Sequence, residues 1–186
     1  MRTLKAVFTM LFLVGVLPAW ADSPSPEGKE FAPKNQMFTA KMPGSDKTTE
    51  ATKILTIGKH KVPIESARSS SKDGPTFTAA SMGIPAVVIR EIPEEKRYEV
   101  VRDAIVKQLT GKVSDEKAIK QDSVPGKEYL IEGEKHVARM QLYIVRGWVM
   151  YAIVEGATKE KVTSKEADAF FEGFKMTDKA KSLVPK

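Results

Sequence analysis

Apolar and polar residues alternate most regularly between Val124 and Gly156, and this stretch predicts three antiparallel strands. Two tight turns separate the strands, one at Gly133-Glu134 and one at Arg146-Gly147. Glycine at the first central position suits a type II′ turn and glycine at the second suits type I′, the two geometries that match strand twist. The segment therefore predicts the middle of an antiparallel sheet, with a defined hairpin register.

The first hairpin can be counted outward from its two turn residues. In that register two of the three pairs examined join opposite charges, which stabilises cross-strand neighbours, and His136 lies opposite Ile131. The three pairs are Glu132 with Lys135, Leu130 with Val137, and Glu128 with Arg139.

The last strand of the segment, Trp148 to Val154, is apolar on both of its alternating sides. The second turn pairs Val145 with Trp148 and Tyr143 with Met150. A strand that is apolar on both faces must be covered on both faces. The pattern predicts an α+β fold, an α-β-α sandwich in which helices, or a helix and long loops, flank an antiparallel sheet of about six strands.

Further strands are predicted upstream, where shorter alternating runs end at glycine or proline. They are Phe38–Met42 before Pro43-Gly44, Thr48–Leu55, His60–Ala67 after Gly58-Lys59, and Thr76–Met82 after the turn Lys72–Pro75.

Two helices are predicted. Pro93 to Thr110 places an apolar stripe at spacings of three and four, with acidic residues in its first turn and Gly111 where a C′ glycine would end it. The second begins at a capping box, in which Thr163 caps the helix and Glu166 reaches back. Its buried face follows in Ala167, Phe170, Phe171 and Phe174, and the first stripe consists of Tyr98, Val101, Ile105 and Leu109.

The N-terminus differs in kind from these elements. Arg2 and Lys5 precede an uncharged run of about 12 residues, and an A-x-A site ends at Ala21. That run is short of the ~20 residues a membrane span needs, so we expect a cleaved signal peptide at 1–21 and a general secretory route. The protein should then be periplasmic or extracellular, with no stable membrane anchor after cleavage. The proline-rich stretch 22–30 reads as a linker, 31–178 as the domain, and 179–186 as a basic tail.

Composition changes this picture little. The chain has 186 residues, 41% of them hydrophobic, and no cysteine, so one domain must be stable through packing alone. The net charge of +6 falls to +4 without Arg2 and Lys5. The remaining lysines alternate with acidic residues, which favours a solvated surface over a nucleic-acid interface.

No catalytic or metal-binding pattern is evident. His60 and His136, the only histidines, have no partners at metal-ligand spacing, and the absence of cysteine excludes thiol catalysis. Ser69-Ser70-Ser71 is predicted as loop and lies in no nucleophile elbow. The paired carboxylates are flanked by basic residues and are predicted to be exposed; they are Glu94-Glu95, Asp115-Glu116 and Glu132-Glu134. We therefore predict no catalytic, cofactor or metal residues.

Several short motifs of the chain, chiefly turn glycines and core aromatics, occur together in one order. They are Arg102-Asp103, Gln108-Leu109, Gly111-Lys112-Val113, Pro125-Gly126-Lys127-Glu128-Tyr129, Arg139, the hairpin Tyr143–Tyr151, and Phe170-Phe171-Glu172-Gly173-Phe174. In these motifs the chain resembles the PsbP family, the extrinsic subunits of photosystem II, and its PsbP-like relatives. The resemblance extends to Phe31–Gly44 and so covers most of the domain.

The resemblance implies an antiparallel sheet between helices and a non-enzymatic role, since members bind and stabilise larger assemblies and a Ran-binding import factor shares the fold. The plain secretory signal and the lack of photosystem-binding or metal-binding motifs set this chain apart, so no functional residues are transferred. We expect an exported, non-enzymatic binding or assembly module with a protein partner and no cofactor. The alternatives are a carrier of a small apolar or lipidic ligand and, third, a cryptic hydrolase.

Overall fold

The computed structural model describes residues 28–44, 48–57, 59–70 and 74–185. The predicted signal peptide at 1–21, most of the predicted linker, and the predicted turn residues Gly58, Lys72 and Asp73 lie outside the described residues. The end of that linker is part of a strand, since Lys29 and Glu30 open β1.

Ten strands and several short helices follow one another along the described chain. The strands are β1 (Lys29–Phe31), β2 (Phe38–Met42), β3 (Thr49–Ile57), β4 (His60–Ser70), β5 (Thr76–Gly83), β6 (Gly111–Gln121), β7 (Val124–Gly133), β8 (Val137–Val145), β9 (Trp148–Gly156) and β10 (Phe174–Met176). The helices are α1 (Ala86–Glu91), α2 (Arg97–Gln108), preceded by a 3-10 turn at Glu94–Lys96, α3 (Lys159–Val162), α4 (Lys165–Gly173) and α5 (Asp178–Ser182).

The strands form two antiparallel sheets. The large sheet has seven strands in the order β3-β4-β5-β9-β8-β7-β6, and the small sheet has the order β1-β2-β10. The predicted α+β fold class is confirmed, with seven strands in the main sheet. One face of that sheet carries α1 and α2, while the small sheet shares the other face with α3, α4 and α5.

The central strand β9 contributes to two hydrophobic cores. Met150, Ala152 and Val154 pack against the small sheet and α4, while Val149 and Ile153 pack towards α2. This is the two-sided burial that the alternating pattern predicted. The same strand pairs with β5 on one side and with β8 on the other.

The two predicted hairpin registers have different outcomes. The β8–β9 hairpin is confirmed, with Val145 opposite Trp148 and positive φ at both Arg146 (45°) and Gly147 (86°), as a type I′ turn requires. The β7–β8 register is wrong by two residues. Its loop is longer than two residues, and the Gly133 amide donates to the His136 carbonyl.

The shift changes every predicted partner but no side-chain face, because strand side chains repeat every second residue. Glu132 lies opposite Val137, Ile131 opposite Ala138 rather than His136, Leu130 opposite Arg139, and Glu128 opposite Gln141.

Both predicted helices exist, but their end groups differ. Thr110 rather than Gly111 takes the left-handed conformation after α2 (φ 49°), and Gly111 already belongs to β6. Ser164 rather than Thr163 caps α4, because its hydroxyl accepts the Ala167 amide. The Thr163 hydroxyl instead donates to the Lys159 carbonyl of α3.

Two segments that were not predicted as strands are paired in the sheets. Strand β6 pairs with β7 along its length, with a bulge between Val113 and Asp115, and most of its side chains are exposed, in agreement with the solvated surface that its alternating charges predict. Ser69 and Ser70 end β4 rather than lying in a loop, and Ser69 is buried. The carboxamide of Gln121 joins β6 to β10, donating to the Phe174 carbonyl and accepting the Met176 amide.

Candidate functional site

A charged cluster lies where β7 and β8 face α4. Glu128 is only 7% exposed, and the Arg139 guanidinium binds its carboxylate, with Nε and Nη2 lying 3.0 and 3.1 Å from the two oxygens. Lys117 and Gln141 bind the same carboxylate, each at 2.8 Å. Arg139 also reaches the Asp168 carboxylate at 2.6 Å and lies 4.7 Å above the Phe171 ring.

Burial alone would raise the pKa of Glu128, but the hydrogen bonds from Arg139, Lys117 and Gln141 outweigh it and hold that pKa below its ordinary value. The carboxylate is therefore ionised at neutral pH with its charge compensated. A shallow cleft of about 290 Å³ adjoins the cluster, and both signs of charge line it, including Asp115 and Lys159. The arrangement ties α4 to the sheet and presents no single charge to a ligand.

A second cleft lies between the start of α2 and the β8–β9 hairpin. It has a volume of about 340 Å³, with apolar walls formed in part by Ile144, Val145 and Val184. The Tyr98 hydroxyl spans its base, donating to the Pro125 carbonyl and accepting the Ile144 amide. Arg97 and Arg146 line the same cleft, as does Glu94, which lies 3.8 Å from Arg97. The apolar walls and the Arg146 charge suit a small apolar molecule that carries a negative charge.

The third feature is a groove between β3, at one edge of the large sheet, and helix α2. The groove has a volume of about 690 Å³ and is open along one side. Val100, Ala104 and Lys107 follow one another at helical spacing and form its wall on α2, while Thr56 contributes from β3. Val100 and Ala104 are half-buried.

Only every second residue of β3 makes backbone hydrogen bonds to β4. Ile57 pairs with His60 across two intervening residues, so this closing pair must exchange hydrogen bonds, and every second pair does the same. Thr56, Ile54, Thr52 and Glu50 therefore direct their amides and carbonyls away from β4. Pro63 agrees with this assignment, since it lies opposite Ile54, where β4 needs no amide donor towards β3.

The two histidines weighed from sequence lie apart from these features, whereas Asp115 lines the first cleft and Glu94 the second. His60 and Lys59 both bind Glu91 of α1, at 3.1 and 3.2 Å, and His136 lies in the β7–β8 loop. In the described ranges no group of three or more His, Asp or Glu side chains is arranged to hold a metal ion. None of the described helices has the length and apolar character that a membrane crossing needs.

Sequence reasoning foresaw the Glu128–Arg139 contact and missed the β3–α2 groove. The exposed threonines of β3 and the half-buried residues of α2 occur some 50 positions apart, and no local pattern connects them. The sequence of β3 did contain one indication of an edge that is open to pairing. The strand has few charges and no proline, and charges and proline are the features that usually protect an edge strand.

A main antiparallel sheet with α2 on one face, and α4 and a small sheet on the other, defines a PsbP-like α+β sandwich. Among solved structures the chain is similar to the solution structure of cyanobacterial PsbP (CyanoP) from Synechocystis sp. PCC 6803, with a TM-score of 0.51 and 12% sequence identity. The alignment covers 80% of this chain and 92% of that one. By sequence, no family model and no curated protein matches.

Proposed function

We propose that this protein is an exported, non-enzymatic binding or assembly module that acts on a protein partner in the cell envelope or outside the cell. The observation that carries the proposal is the PsbP-like fold, which spans 80% of the chain. The resemblance described above associates that fold with proteins that bind and stabilise larger assemblies. The signal-like N-terminus supports export.

The open groove beside β3 also supports a protein partner. An edge strand with free backbone groups and an adjoining groove is a form of surface that extended polypeptides use in recognition. The charged cluster around Glu128 supports a structural role instead, because its charges are satisfied within the domain.

Crosslinking in intact cells followed by affinity purification from the native envelope tests the proposal. We expect one or a few proteins to be recovered in fixed proportion to the chain, and an unrelated exported domain of similar charge to recover none of them. The proposal fails if no protein is recovered specifically. It also fails if the purified chain hydrolyses ester, phosphate or peptide substrates and a single polar substitution abolishes that activity.

The cleft at Tyr98 favours a second candidate function, a carrier of a small apolar ligand with an anionic group. Native mass spectrometry of protein purified from its source separates the two. A retained small molecule, released by substituting Ile144→Asp in the cleft wall, would favour the carrier. Protein without a bound molecule, together with a recovered protein partner, would favour the binding module.

A further inference from the structure

We propose that the partner adds an extended segment to the free edge of β3, so that the segment becomes an eighth strand of the large sheet and lies against the groove on α2. This inference rests on the proposed function, since it names the surface and the kind of segment through which a protein partner would bind.

The first reason is the backbone of β3. The four outward-facing residues of β3 occupy alternate positions from Glu50 to Thr56. Their backbone amides and carbonyls pair with no other strand of the described chain. Strand addition satisfies such a row through main-chain hydrogen bonds, while side-chain pockets supply specificity.

The second reason is that the opposite edge is protected and β3 is not. Strand β6 carries five charged residues among eleven and a bulge before Asp115, both of which discourage pairing with another chain. Strand β3 carries only Glu50 and Lys53 among nine residues, without a proline or a bulge. Ile54 of β3 is 55% exposed, and its side chain lies on the face of the strand that turns away from α2.

The third reason is the charge of the groove. Lys53 lies on the face of β3 that turns towards α2, because its side chain shares that face with buried Leu55 two residues later. Lys107 of α2 lines the groove. Among described residues neither lysine has an ion-pair partner, whereas the groove's Asp103 is held by Arg102 at 2.7 Å. The site therefore favours a segment with acidic side chains towards α2, next to an apolar one against Val100 and Ala104.

A second copy of this chain fits the edge less well. Glu50 and Lys53 lie on opposite faces of β3, because their positions differ by an odd number. Two β3 strands paired about a two-fold axis could not match these charges, and Glu50 is already bound to Lys29 at 2.9 Å. We therefore commit to a different polypeptide as the occupant.

A displayed library of random nine-residue peptides, selected on the purified chain, tests the proposal directly. The selected peptides should alternate apolar and polar residues and carry aspartate or glutamate on the face that turns towards α2. Their binding should slow hydrogen exchange at the amides of Thr52, Ile54 and Thr56. Peptides methylated at alternate backbone nitrogens should lose binding.

A matched pair of variants places the binding on one edge. Ile54→Pro removes an outward amide of β3, and Ala118→Pro removes an outward amide of β6, which the register of β6 with β7 identifies in the same way. We expect Ile54→Pro to weaken the selected peptides at least about tenfold and Ala118→Pro to leave them unchanged. Equal effects, or no effect of Ile54→Pro, would overturn the proposal.

A variant that leaves the backbone intact guards against misfolding. Lys53→Glu combined with Lys107→Glu should weaken acidic peptides about tenfold or more, while Lys120→Glu on β6 should not. Peptide binding to the original chain should also weaken as salt is raised. Binding that ignores all these charges would contradict the assigned chemistry, and dimers of the chain broken by Ile54→Pro would assign the edge to a second copy.

Experiments with the native partner distinguish the β3 binding site from the proposed function. If envelope crosslinking recovers a partner and an excess of selected peptide displaces it, both proposals stand. A partner that the peptide fails to displace would overturn the β3 site and leave the proposed function intact. Failure to recover any partner would overturn the proposed function, whatever the peptides do.

Discussion

The two edges of the large sheet differ in how they use charge. At the β6 edge, acidic and basic side chains of β6 bind partners on β7 and α2. Lys117 binds Glu128, and Glu116 binds both Lys127 and Arg102. Among the described residues, strand β3 has one such contact, from Glu50 to Lys29. The same charges that make β6 a poor template for another strand also attach it to its neighbours. The contrast shows that one set of charged residues both protects the β6 edge and attaches it to its neighbours, and that β3 has no comparable set among the described residues.

Removing Arg139 should break the protected side most severely. Arg139→Ala leaves the buried Glu128 carboxylate without its main partner and removes a cation from above the Phe171 ring. We expect a loss of about 3 kcal/mol in the free energy of unfolding, measured by urea denaturation. Lys120→Ala, an exposed change on the same edge, is the control and should cost less than about 0.5 kcal/mol. A loss below about 1 kcal/mol for Arg139→Ala would show that the cluster is not a structural anchor.

Glu128→Gln should have a smaller effect that depends on pH. The folded-state pKa of Glu128 lies below its unfolded value of about 4.3, so its contribution to stability is present above that pH and is lost as the pH falls through the folded pKa. We expect the variant to be less stable by about 1–3 kcal/mol at pH 7 and the difference to shrink in acid below about pH 4. Urea denaturation across pH 2–7 measures both, and a difference independent of pH would contradict the assignment.

Glu116→Gln tests the more exposed charges of the same edge. Its side chain is about one-third exposed, and it binds Lys127 at 2.5 Å and Arg102 at 3.3 Å. We expect a loss of about 0.5–1 kcal/mol, because solvent and salt screen such pairs, and the loss should decrease further in 0.5 M salt. A loss as large as that of Arg139→Ala would mean that exposure does not separate these two groups of ion pairs.

Ile54→Lys should make β3 resemble β6. A lysine on an exposed edge position discourages pairing with another chain, and its side chain stays in solvent. We expect stability to change by less than about 0.5 kcal/mol while light scattering shows slower aggregation at high concentration. The matched change Ala118→Ile on β6 should leave aggregation nearly unchanged if the remaining charges protect that edge. Faster aggregation of the β6 variant than of the original chain would remove the contrast.

Sequence reasoning identified the fold class because the strongest signals belong to the centre of the sheet. Trp148 to Val154 is buried on both faces, and burial on both faces requires a continuous apolar run that is visible in a single strand. Tyr98, Val101 and Ile105 define α2 by helical spacing in the same way. The edges give no comparable signal: β6 is exposed along most of its length, so its sequence lacks the regular apolar alternation that predicts a strand.

The β7–β8 hairpin shows how a contact can be right while its register is wrong. Glu128 and Arg139 form the expected ion pair diagonally across the strands, because a long arginine reaches beyond its directly opposite neighbour. Only the wider environment shows that each has a further partner, Lys117 for the glutamate and Asp168 for the arginine. Exchanging the two charges would therefore place like charges together at both ends and restore little stability.

The pairing of β5 with β9 has a consequence for the order in which the chain folds. Residues 76–83 lie in the middle of the large sheet next to residues 148–156, and β2 lies next to β10 near the C-terminus. During synthesis β5 and β2 thus each lack one neighbouring strand until the C-terminal part is made, and contacts so distant in sequence slow folding. Neither sheet can be completed while the C-terminal part of the chain is still being made. Until then the chain stays incompletely folded, which suits the export proposed above.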